Sequence, residues 1–162
     1  MVKPIVRDTF FLSRRSTPAT EADEAVAADL LDTLRANADR CVGMAANMIG
    51  ISCRVIAFCD NGDYTVMYNP EILKSSQPFQ TEEGCLSLDG VRPTRRFHSI
   101  KVRYQNAAWQ WRIKTYTGWT AARAGSSGRD YYLKKRGKQN EPIGKRPPAK
   151  RGRTAGKRNT LL

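Results

Sequence analysis

The sequence predicts an α+β fold: an antiparallel sheet with one N-terminal helix packed on it, followed by a basic tail outside the domain. Three observations point there. Residues 20–37 hold a single amphipathic helical stretch. Short β-branched or alternating segments separated by turn signals follow, between residues 54 and 116. At Ala121 the pattern stops, and Gly, Pro, Lys and Arg dominate to the end.

Each element has its own signal. Residues 1–16 scatter short apolar pieces (Ile5-Val6, Phe10-Phe11-Leu12) between charges, as expected of an extended arm packed on another surface. Thr20 is suited to cap a helix, with Asp23 in the capping-box position and Glu21 and Glu24 near the positive helix end. Ala25, Val26, Ala27, Leu30, Leu31 and Leu34 then follow at helical spacing, which predicts a helix over 20–37. The run from Cys41 to Gly50 is rich in small residues, so backbone can approach another group closely there. Residues 54–59 read as a buried strand, Asp60-Asn61-Gly62-Asp63 as a hairpin turn, and residues 64–68 as the partner strand, ended by Asn69-Pro70. Residues 99–104 and 109–116 alternate as two further strands joined through Asn106-Ala107-Ala108.

Charge divides the chain in two. Residues 121–162 carry 13 of the 28 Lys and Arg residues but only two of the 15 acidic ones, a net charge of +11. The first 120 residues are left with a net charge of only +2. The basic pI therefore belongs to the tail. Residues 1–121 are expected to form one domain, and residues 122–162 a low-complexity tail that cannot bury enough to offset its ordering entropy and is disordered. No apolar run has signal-peptide or membrane-spanning length, and four cysteines without a CxxC pair suit a cytoplasmic protein with reduced thiols and no membrane partner.

Chemistry concentrates in Glu82-Glu83-Gly84-Cys85-Leu86-Ser87. By itself Cys85 has two readings, a buried small hydrophobe or a reactive or metal-ligating thiol, and the latter needs partners. The chain has one histidine, His98, which is expected at a strand edge rather than at a metal.

The order of segments Cys41-Val42-Gly43-Met44-Ala45-Ala46-Asn47-Met48-Ile49-Gly50 and, about 40 residues later, Glu83-Gly84-Cys85-Leu86-Ser87 resembles that of the peptide deformylases over residues 3–121. The resemblance implies a peptide-deformylase-like fold and hydrolytic removal of the formyl group from the formyl-methionine of nascent proteins. It also implies an Fe2+ or Zn2+ ion that lowers the pKa of a bound water. Cys85 would be a metal ligand, the Leu86 N–H an oxyanion donor, Gly43, Met44 and Ala45 substrate-lining residues, and Glu83 and Gly84 the shapers of a loop presenting Cys85.

Two departures qualify the implied activity. Met48 stands where the family pattern has a glutamine, and a thioether donates no hydrogen bond. Losing such an oxyanion donor costs roughly 3–4 kcal/mol of transition-state stabilisation. Asn47, one residue earlier, replaces it only if the segment shifts. More seriously, the family's His-Glu-x-x-His motif, expected after Thr-Gly-Trp-Thr-Ala at 117–121, is absent, and with it go two ligands and the general base. The central metal-site helix is therefore expected to be missing, apolar sheet surface to be exposed, and activity to be impaired or lost. For the tail, three readings stand: translation in a shifted frame, an inert extension, or an arm for ribosome or RNA contact.

Overall fold

The structure, a computed structural model, describes residues 1–118. The domain boundary expected at Ala121 and the basic tail lie outside the described residues. Two helices, α1 (Thr9–Ser13) and α2 (Glu24–Ala36), accompany five strands: β1 (Gly43–Ala45), β2 (Val55–Asp60), β3 (Asp63–Cys85), β4 (Leu88–Gln105) and β5 (Trp111–Thr117). The strands form one antiparallel sheet in sequence order.

The helix expected over 20–37 is present as a 3₁₀ turn (Glu21–Asp23) running into α2. Its start follows the sequence signal: Asp23 Oδ2 accepts the Thr20 N–H at 2.8 Å. Ala27, Leu30, Thr33 and Leu34 form its buried face, and burial of each leucine contributes roughly 1.5–3 kcal/mol. Thr33 Oγ1 donates to Asp29 O at 2.7 Å and accepts Lys3 N–H at 2.9 Å, which pins the N-terminal arm along α2. That arm is not wholly extended. Asp8 Oδ1 accepts the N–H groups of Phe10 and Phe11, and this N-cap winds α1 and buries Leu12.

The hairpin at Asn61-Gly62 forms as its dipeptide requires, with φ values of 52° and 94°. Asn69-Pro70, by contrast, bends β3 without ending it. Asn69 takes a left-handed φ of 51°, and the register slips between Tyr68 and Glu71. The Asn69 side chain stabilises the bend: Oδ1 accepts Ala19 N–H at 2.8 Å, and Nδ2 donates to Ala19 O at 3.0 Å and to Gln105 Oε1 at 2.8 Å. A second bend falls at Gln77-Pro78, where Gln77 has φ 55°. Beyond it, β3 and β4 pair through to Cys85↔Leu88, so residues 71–85 and 88–98 form strand that the sequence reading left out. Trp109 also differs from expectation. It belongs to the turn before β5 (φ 56°), with its indole N–H on Glu24 Oε1 at 3.0 Å.

The bends have an architectural result. Strand spacing of about 4.8 Å would hold β2 and β5 about 14 Å apart in a flat sheet. Yet the Phe58 and Tyr116 rings meet edge-to-face with centroids 5.8 Å apart. The sheet therefore curls over itself. One face of β1–β3 packs under α2, with Met44, Val55, Ala57 and Tyr68 buried against Leu30 and Leu34. The other face carries Ile56, Phe58 and Met67, which are buried with Ile100, Val102 and Tyr116. This second face is therefore buried as well. The large apolar side chains left outside include Leu73, Val91, Trp111 and Ile113.

Candidate functional site

The small-residue segment enters the sheet as β1, paired to β2 through Gly43↔Phe58, Met44↔Ala57 and Ala45↔Ile56. A short 3₁₀ turn, Ala46–Ile49, follows and stops at Gly50, whose φ of 88° a side chain would strain. Val6 N–H donates to Met48 O at 2.9 Å, so the N-terminal arm holds this turn from outside. Met48 is 8% exposed and lies in the core beneath α2. Asn47 is 1% exposed, and its amide Nδ2 donates to Leu12 O at 3.4 Å. Its Oδ1 has no hydrogen-bond partner among the described residues. Thus the one amide near the glutamine position is turned toward α1, and a shift of the segment is not observed.

Glu83, Gly84 and Cys85 occupy the end of β3, opposite Arg92, Val91 and Leu88. Cys85 is thus presented by the tip of a β-hairpin rather than by an irregular loop. The difference arises because the two strands stay paired to the last residue. Cys85 is exposed, Leu86 is half-buried against the core that holds Met44 and Met48, and Ser87 is buried. Arg7 Nη1 bonds Asp89 Oδ1 at 3.1 Å, tying the same N-terminal arm to the hairpin tip. The first and second motifs are therefore clasped by one arm and packed against one core.

Cys41, at the start of the first motif, donates its thiol to Gly43 O at 3.1 Å. Burial pushes its pKa up, a backbone hydrogen bond with Gly43 acts in the opposite direction, and the charge on Cys85 raises it further. A second thiol thus stands within electrostatic reach of Cys85. Sequence reading gave Cys41 no role at the site. Cys53 is buried elsewhere, and its pKa is pushed up to about 12, chiefly by desolvation.

His98 sits exposed on β4, stacked on Phe79 with ring centroids 4.4 Å apart. Ten residue steps along β4, on the order of 30 Å of chain, separate it from the Cys85 partner Leu88. No group of three His, Cys, Asp or Glu side chains that could hold a metal exists among the described residues. The whole sequence has no histidine other than His98. The donor set at Cys85 therefore does not fit a divalent hydrolytic metal, which needs three or four protein ligands.

A curled antiparallel sheet, a helix on its outer face, and a Gly-Cys-Leu hairpin beside a small-residue strand define a deformylase-type scaffold. The comparisons agree. The profile of the Polypeptide deformylase family matches residues 2–124, and the chain belongs to that family. It is 46% identical over 121 residues to a peptide deformylase of Clostridium beijerinckii, covering 75% of this chain and 89% of that protein. It is 34% identical over 119 residues to that of Acidobacterium capsulatum, covering 68% and 70%. Among solved structures, a class I type b peptide deformylase from Acinetobacter baumannii with bound K3U matches with TM-score 0.71 and 26% identity, over 78% of this chain and 91% of that one. The Thermotoga maritima enzyme matches with TM-score 0.70 and 28% identity, over 78% and 89%. No helix of the described residues is long and apolar enough to cross a membrane.

Proposed function

We propose that this chain carries the peptide-recognition half of a deformylase and lacks the catalytic half, so that deformylation by it is impaired or lost. In this reading β1 lines a formyl-methionyl peptide with Gly43, Met44 and Ala45, while Glu83 and Gly84 shape the turn that presents Cys85. The Leu86 N–H faces the developing oxyanion, and Cys85 is the remnant of a site for Fe2+ or Zn2+. An Acinetobacter baumannii relative, solved with Met-Ala-Ser bound, supports the class of peptide. The cytoplasm, where formylated nascent chains occur, is the proposed location.

One observation carries this reading: among the described residues Cys85 has no set of ligand side chains around it, and the chain's one histidine is stacked on Phe79. A lone thiolate neither holds a hydrolytic divalent ion nor supplies a proton shuttle. Formate release from formyl-Met-Ala-Ser, with Fe2+ or Zn2+ supplied and bound metal measured, tests it. The expected result is release at the protein-free rate with metal well below one equivalent; turnover with stoichiometric metal overturns it.

The family match ends at residue 124, close to where composition changes, which supports an origin of the tail in a shifted frame. Reading the gene in its other frames after the Ala121 codon checks this, and a His-Glu-x-x-His stretch is the expected find. The charge of +11 on residues 121–162 supports a second reading, RNA or ribosome contact through the tail. Deleting residues 134–162 would then abolish salt-sensitive RNA binding.

A further inference from the structure

We propose that the outer face of β4–β5 is a docking platform for a single-stranded polynucleotide, with Trp111 stacking a base and Lys74, Lys101 and Arg103 meeting its phosphates. Directly paired residues share a face of a sheet, and neighbours along a strand alternate. The register therefore builds two rows on this face: Lys74, Lys101 and Thr115, then Glu71, Arg103 and Ile113. Trp111 lies two residues from Ile113 on the same face. The opposite face of the same strands is the buried one, carrying Ile100, Val102 and Tyr116. The platform is thus solvent-facing, and Trp111 and Ile113 are 55% and 56% exposed.

Two observations indicate an anionic, ring-bearing partner. Lys74 and Lys101 are direct cross-strand partners, an arrangement that is unfavourable without a counter-charge. Neither has an acidic partner among the described residues, because Glu71, the one acid of these rows, is engaged by Arg103 at 2.7 Å. Arg103 in turn sits over the Trp111 ring, 5.0 Å from its centroid, so a cation is already held against an aromatic surface that is still 55% exposed. A base stacked on Trp111 would place its phosphates over this cation and along the row toward the two lysines, about 13 Å further down β5. Single-stranded chains suit the site because their bases are free to stack, whereas a duplex hides them. A second copy of this face is disfavoured by the same lysines. An acidic peptide matches the charge but leaves the indole unused.

The test uses the full chain and a fluorescein-labelled 12-mer oligouridylate, followed by anisotropy across a salt series. Trp111→Ala is expected to weaken binding at least fivefold with an unchanged salt slope, and to remove tryptophan quenching on binding. The double variant Lys74→Gln/Lys101→Gln is expected to reduce the slope of log K on log salt by about 1.4, as two lost single-strand phosphate contacts require. Arg112→Gln removes one positive charge from the opposite face and should bind as the parent does. The platform is overturned by any of three results: no oligouridylate binding; binding that survives the Trp111 and lysine changes, which would place it in the tail; or equal displacement by oligoglutamate.

Discussion

The two motif-bearing regions sit in opposite environments. The first, from Gly43 to Met48, is wedged between α2, β2 and the N-terminal arm, with Met44 and Ala46 fully buried. The second is a hairpin tip where Cys85 and Asp89 are exposed and Val91 is 64% exposed. The first region is held by packing that would exist without any catalysis. Among the described residues the second is anchored by Leu86 on the core, by buried Ser87 and by Arg7 on Asp89. The small-residue strand thus owes its position to core packing, and the cysteine hairpin owes its own chiefly to its two paired strands.

Substitutions can break this contrast. The largest effect is expected from Phe58→Ala, which hollows the inner face beneath β1. A loss of roughly 3–5 kcal/mol should appear as a lower denaturant midpoint, while Val91→Ser at the hairpin should leave the midpoint nearly unchanged. Next is Met48→Gln, which restores the side chain of the family pattern. It buries an amide in an apolar core, so a loss of about 1–3 kcal/mol is expected with no formate release, because the metal ligands are still wanting. Both are read by denaturation together with the formate assay.

Thiol chemistry sharpens the contrast further. Cys85 should react first with iodoacetamide, and Cys41 more slowly, with a rate that rises as pH climbs through its raised pKa. Cys53 should be modified only on unfolding. Its folded-state pKa, about 12, lies above its ordinary value of 9.0. The neutral thiol is favoured in the folded chain, so this contribution is complete below about pH 9 and lost as pH rises toward 12. Mass spectrometry of alkylated peptides and alkaline denaturation check these two expectations. The smallest effect is that of Asp89→Ala, whose pair with Arg7 is solvent-exposed. Stability should not change measurably, but proteolysis near residues 86–91 should speed up.

The sequence was most legible where structure is local. Thr20 and Asp23 set the start of α2, and Asn61-Gly62 set the tight turn, because each signal is complete within four residues. Asn69-Pro70 misled for the same reason. As a dipeptide it says stop, and only Ala19 and Gln105, far away in the chain, reveal that the Asn69 amide is clamped and the strand continues. The stretch 71–98 offered little alternation to read, since its stability as strand comes from pairing across the hairpin. At the candidate site, the motif cysteine and the missing histidines were visible at once. The neighbourhood of Cys41 and Cys85, and the commitment of Asn47 to Leu12, exist only in three dimensions.

The curl that brings Phe58 against Tyr116 also has a kinetic meaning. It joins two rings distant in sequence, so its closure entropy must be met before the contact stabilises anything. α2, β1 and β2 can assemble from near neighbours while β5 is still being synthesised. During that interval Ile56, Phe58 and Met67 lack their cover, and the emerging chain is then most prone to aggregate.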